Sequence, residues 1–89
     1  MTEITVYTTS EEVNEIYTKA KSWVARSHRL NVKVGDIINF RLCHDQKVIY
    51  HQINRKKYEV TRVDDCNTAP IYKYWKLISF REVKDDSAN

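Results

Sequence analysis

Eighty-nine residues, 42% hydrophobic and with six tyrosines among the aromatics, suffice for one small core and exclude a multidomain enzyme or a disordered chain. The net charge of +3 hides a division. Residues 1–15 carry four acids and no base, residues 16–62 carry eleven bases against three acids, and the remainder is close to neutral.

Residues 2–8 alternate, with Ile4 and Val6 on one side and Thr5 and Tyr7 on the other, which predicts a strand. Thr9 followed by Glu12 is a capping-box pattern, and Glu11, Glu12 and Glu15 suit the positive end of a helix dipole. Val13, Ile16, Tyr17, Ala20 and Val24 recur at helical spacing and Trp23 widens the stripe, so an amphipathic helix is expected as far as Arg26 or Ser27, closed by His28-Arg29. Residues 30–34 lead into a turn at Gly35-Asp36. Residues 37–42 read as a strand, with Ile38, Phe40 and Leu42 on one face and Ile37, Asn39 and Arg41 on the other.

His44-Asp45-Gln46 reads as a polar turn, residues 48–53 as a strand, and Asn54-Arg55-Lys56 as a second turn. Residues 57–63 form a strand with Tyr58 and Val60 inward, and the change of phase before Val63 predicts a bulge. Residues 64–70 are expected to loop. A last long strand runs from residue 71 or 72 to 83, with Ile78 and Phe80 on one face and Trp75 and Leu77 on the other. Residues 84–89 form a solvated tail. The expected fold is α+β: one domain over residues 1–83, in the order β-α-β-β-β-β. About five antiparallel strands make a small barrel or curved sheet with one helix.

The segment Val32-Lys33-Val34-Gly35-Asp36-Ile37-Ile38-Asn39-Phe40 resembles the entry to the barrel of PUA-like and ASCH-like domains, in which a Gly-Asp turn opens a strand. Segments like Tyr58-Glu59-Val60-Thr61-Arg62-Val63 and Trp75-Lys76-Leu77-Ile78-Ser79-Phe80 follow in the family's order, so the resemblance covers residues 32–83. It implies RNA or nucleotide-like ligands. The G-x-K-x-x-E-x-R segment of ASCH domains is missing, and the family's ligand contacts do not carry over residue by residue. In size and in its Tyr- and Lys-rich composition the chain is also similar to small accessory proteins of large tailed phages. Some of these inhibit RNA-cleaving toxins. That likeness implies an anti-defence role with a host toxin or nuclease as partner.

Concentrated cations attract polyanions, and neighbouring aromatics can stack on bases. Arg55-Lys56-Lys57-Tyr58 and Tyr72-Lys73-Tyr74-Trp75-Lys76 place the two side by side. The candidate phosphate contacts are Lys19, Lys21, Arg26, Arg29, Lys33, Arg41, Arg55, Lys56, Lys57, Arg62 and Lys73. They either gather into one electropositive strip or form an ordinary solvated face. The first outcome makes the chain a non-enzymatic RNA-binding module. The alternative is a protein–protein inhibitor of a host enzyme, and a third reading is a metal-free nuclease using His44 or His51 with a lysine. A domain this small buries only about 60–65% of its unfolded surface, and a homodimer would supply the missing burial.

Cys43, His44, His51 and Cys66 are the only soft-metal set, but Cys43 and His44 are adjacent and point to opposite faces of a strand. Inert buried thiols are expected, and no cofactor. Asp64-Asp65 reads as the start of a loop rather than a Mg²⁺ site. No stretch has the ~18–20 apolar residues of a membrane span. The first residues lack the order of a signal peptide, and two cysteines are few for a secreted disulfide fold. A cytoplasmic location is expected.

Overall fold

Alternation along the strands divides the chain into a buried and an outward side, and the computed structural model describes this for residues 2–65 and 74–84. The order is β1 (Glu3–Thr8), α1 (Ser10–Tyr17), β2 (Trp23–Ser27), β3 (Ile37–His44), β4 (Lys47–Ile49), a 3₁₀ turn (Gln52–Arg55), β5 (Tyr58–Asp65) and β6 (Trp75–Glu82). Six strands form one sheet in the order β1-β3-β5-β6-β2, with β4 paired to the far end of β3. The fold class is α+β, as expected. The sheet is mixed rather than antiparallel, because β1 pairs β3 in parallel. The intervening α1 and β2 return the chain to its starting end before β3 begins. Among the described residues no backbone ladder joins β1 to β2, so the sheet is not closed.

Thr9 caps α1 as expected, its Oγ1 accepting from the Glu12 N–H at 3.2 Å. The reciprocal half of the capping box is absent: the Glu12 carboxylate turns to Lys21 and Arg26 instead. The helix ends at Tyr17, not at Arg26 or Ser27. Thr18 Oγ1 donates to the Asn14 carbonyl at 2.8 Å, and Lys19 turns left-handed at φ 67°. Trp23 and Val24 belong to β2, where Val24 lies opposite Ile78 and is fully buried. Ala20 and Val24 match helical spacing by coincidence, and sheet pairing overrides it. His28 therefore follows a strand rather than a helix, and its N–H donates to Tyr74 O at 2.8 Å.

Gly35-Asp36 opens β3, as expected. Gly35 has φ +95°. The buried Asp36 carboxylate accepts from the Lys33 N–H at 2.9 Å and the Thr2 N–H at 3.3 Å, tying the start of β1 to the turn. Val13 and Ile16 of α1 pack with Ile38, Phe40, Tyr58, Val60, Ile78 and Phe80 in the core. The rings of Phe40, Tyr58 and Phe80 form a triangle with centroids 5.1–5.3 Å apart, edge-on or tilted as aromatic clusters prefer.

The expected strand over residues 48–53 stops at Ile49. His51 Nδ1 accepts from the Ile53 N–H at 3.0 Å, which starts the 3₁₀ turn and drives Ile53 inward to full burial. The bulge falls between Val60 and Arg62, inside the expected window. Asp64 and Asp65 do not begin a loop; they extend β5 and pair with Leu77 and Lys76. The rest of that loop, the start of the last strand before Tyr74, Cys66, Lys73 and tail residues 85–89 lie outside the described residues. No helix among the described residues is long and apolar enough to cross a membrane.

Candidate functional site

Three elements meet at one end of the sheet: the last residue of α1, the 3₁₀ turn, and the end of β6. Between them lies an open groove of about 560 Å³, lined by Tyr17, Tyr50, Gln52, Arg55, Lys56 and Glu82, with Val83 at its edge. That volume is within the usual range for small-ligand sites, about 300–1,000 Å³.

One wall is tied together by hydrogen bonds and a ring contact. Tyr17 Oη donates to Gln52 Oε1 at 2.6 Å, and the ring meets His51 edge-on at 5.4 Å. Because His51 Nδ1 accepts from Ile53, its proton sits on Nε2, which donates to Asn14 Oδ1 at 3.1 Å. Lys56 Nζ lies 2.9 Å from Glu82 Oε2 and 5.4 Å from the centre of the Tyr17 ring. The other wall is uncommitted. Tyr50 is 64% exposed, and neither it nor exposed Arg55 makes a side-chain hydrogen bond or ion pair among the described residues. The Lys56–Glu82 pair cancels internally, so Arg55 gives the groove its net positive charge.

Behind Glu82 sits the Tyr58 hydroxyl, buried and without a hydrogen-bond partner among the described residues. Burial, with the neighbouring Glu82 carboxylate and Tyr17, pushes its pKa up to about 12. A second hollow of about 310 Å³ borders the same residue and is rimmed by Lys19, Lys21 and Ser22.

Among the eleven expected phosphate contacts, the groove brings together Arg55 and Lys56, and the second hollow brings together Lys19 and Lys21. Among the described residues five carry a carboxylate partner: Lys21 and Arg26 share Glu12 at 3.0 and 2.7 Å, Lys56 pairs with Glu82, Lys57 with Glu3 at 2.8 Å, and Arg62 with Asp64 at 2.8 Å. A phosphate binding these would displace or share the carboxylate. Arg41 lies on the outward side of β3 in register with Tyr7, donating to Phe40 O at 2.7 Å. Arg29 and Lys33 are exposed in the segment between β2 and β3, their side chains unpaired among the described residues.

No group of three metal-capable side chains occurs among the described residues. Cys43 is a free, half-buried thiol. His44 and Asp45 form an exposed pair at 3.4 Å on the β3–β4 turn. The groove's Tyr17, Tyr50, Gln52 and Glu82 were not among the sequence-based candidates. Tyr17 reads as core from its helical spacing, and Glu82 is remote in sequence from the turn it faces. The nearest signal was the cluster of aromatic and amide side chains just before Arg55. No protein-family model matches this chain, and neither does any curated protein.

Proposed function

We propose that the chain is a non-enzymatic module binding single-stranded RNA, with the groove between Tyr17 and Tyr50 as its centre. One observation carries the reading: two tyrosine rings and the uncommitted Arg55 guanidinium surround a single open groove. A base stacks on a tyrosine, and the adjoining phosphate meets Arg55. The curled sheet, with Arg26 linking its two edge strands, is read as an incomplete barrel that presents this end to the ligand. Blocking an RNA-targeting toxin by covering RNA is the role we assign to it, and dimerisation would add avidity.

Fluorescence anisotropy with a labelled RNA of about 12 nucleotides tests this reading. Affinity should fall steeply between about 50 and about 300 mM salt. The Tyr50→Ala/Arg55→Ala double variant should stay folded and bind roughly tenfold or more weakly. Salt-independent binding, or full affinity in that variant, overturns the reading.

A second reading, inhibition of a protein partner, draws on the outward side of β2 and β6. Trp23 and Trp75 are 45% and 46% exposed there, with Ala25 and Leu77 between them. Tryptophan anchors of this kind dominate protein interfaces. A stoichiometric protein partner that survives nuclease treatment, and is lost in Trp23→Ala/Trp75→Ala, would favour it.

A further inference from the structure

We propose that the groove selects guanine, and that the Lys56–Glu82 pair is the group that reads it; this rests on the RNA reading above. A carboxylate on the wall of a groove that receives RNA repels phosphate. Yet Glu82 faces this groove, its side chain 30% exposed, while Lys56 occupies only Oε2, at 2.9 Å. Oε1 accepts no hydrogen bond among the described residues. A free carboxylate oxygen is an acceptor only, and the donors that RNA can offer it are base N–H and ribose hydroxyl groups.

The order of groups along the pair is donor (Lys56 Nζ), acceptor (Glu82 Oε2), acceptor (Glu82 Oε1). Guanine presents the complement on its pairing edge: the O6 acceptor, then the N1–H and N2–H donors. Cytosine presents donor, acceptor, acceptor, which sets its amino group against the lysine and its N3 and O2 against the carboxylate. Uracil matches O4 and N3–H but turns O2 toward Oε1. Adenine places its N6 amino group against the ammonium and its N1 lone pair against the carboxylate. Three bases therefore leave a mispaired polar group at the ion pair and one does not, and discrimination comes from those mismatches as much as from the match. Gln52 Oε1 is taken by Tyr17, leaving the amide nitrogen to donate to the sugar or phosphate alongside.

The test uses the wild-type protein with labelled oligouridine carrying one central G, A or C, or none. The RNA with G should bind roughly tenfold tighter than the other three. Inosine, which lacks the N2 amino group, should lose part of that gain, and 7-deazaguanine, altered only at the edge the pair does not touch, should keep it. Glu82→Gln, verified as folded by its thermal transition, should bring the G and U sequences to within about threefold while still binding oligouridine. Equal affinity for all four RNAs, or a gain that inosine retains in full, overturns guanine selection and leaves RNA binding standing. Failure of every RNA to bind overturns both.

Discussion

Arg26 and Glu12 close the gap that the backbone leaves between the two edge strands. The guanidinium donates to Glu12 Oε1 at 2.7 Å, to the β1 carbonyl of Tyr7 at 3.3 Å and to the β2 carbonyl of Ala25 at 2.7 Å. One side chain thus meets an acceptor from each unpaired edge and ties both to the first turn of α1. Edge strands with free backbone groups invite pairing with other chains, and a half-buried charge on the seam opposes this. Arg26→Ala should cost about 1–3 kcal/mol in chemical denaturation, since it strips partners from half-buried acceptors. Arg26→Lys, lacking the planar fork, should recover only part of the loss. A cost below about 0.5 kcal/mol would mean that the seam holds without the arginine.

The same carboxylate predicts a pH dependence. Burial alone would raise the Glu12 pKa, but hydrogen bonds from Arg26 and Lys21 and their charges outweigh it and hold it below the ordinary value of 4.5. A carboxyl depressed in the folded state contributes stability that is present above its unfolded pKa and lost as pH falls through the folded one. Wild type should therefore weaken on acidification below about pH 4.5, with a shallower decline in Glu12→Gln. Parallel acid titrations of the two proteins, followed by circular dichroism, would contradict this if their slopes coincide.

How much of this was legible beforehand depended on whether the pattern was local. The Gly35-Asp36 turn, the inward Ile38, Phe40, Tyr58 and Val60, and the bulge before Val63 all appear as breaks or continuities of a two-residue period. The end of α1 was hidden because Ala20 and Val24 continue its spacing, whereas Val24 is buried by pairing with Ile78 in a distant strand. Ile53 misled similarly, apolar in a strand-like run but buried by a 3₁₀ turn that a histidine starts. In the groove, Arg55 and Lys56 stood out by charge. Glu82 did not, because only the sheet brings the end of β6 beside residues 17 and 56. Likewise, the carboxylate partners of Lys21, Arg26 and Lys57 come from β1 and α1, so a predominantly basic middle in the sequence becomes a partly compensated surface.

Tyr58 separates packing from polarity. Its ring completes the triangle with Phe40 and Phe80, yet its hydroxyl is buried with no partner among the described residues. Removing an unsatisfied buried polar group while keeping the ring should be neutral or stabilising, by up to about 1–3 kcal/mol. The raised pKa fixes a second signature. A tyrosine held neutral in the fold contributes fully below its unfolded value of 10.0, and that contribution fades as pH climbs toward about 12. Tyr58→Phe should thus lose less stability than wild type in that alkaline window. A clear destabilisation at neutral pH would mean that the hydroxyl has a partner after all.

Two substitutions of opposite sign isolate the cost of left-handed backbone. Lys19, just past the C-cap of α1, has φ 67°, where the Cβ of an L-residue crowds its own carbonyl and glycine is the usual occupant. Its ammonium has no partner among the described residues, so Lys19→Gly removes the crowding without breaking a side-chain contact. The extra freedom glycine gives the unfolded chain offsets part of that gain, leaving a net stabilisation of about 0.5–1 kcal/mol. Gly35 is the mirror case, at φ +95° with open space where a Cβ would stand. Gly35→Ala meets no clash, so whatever it costs comes from the backbone alone, about 1–2 kcal/mol. Thermal unfolding of both variants decides the matter. If the two shifts share a sign, backbone handedness does not set stability at these turns.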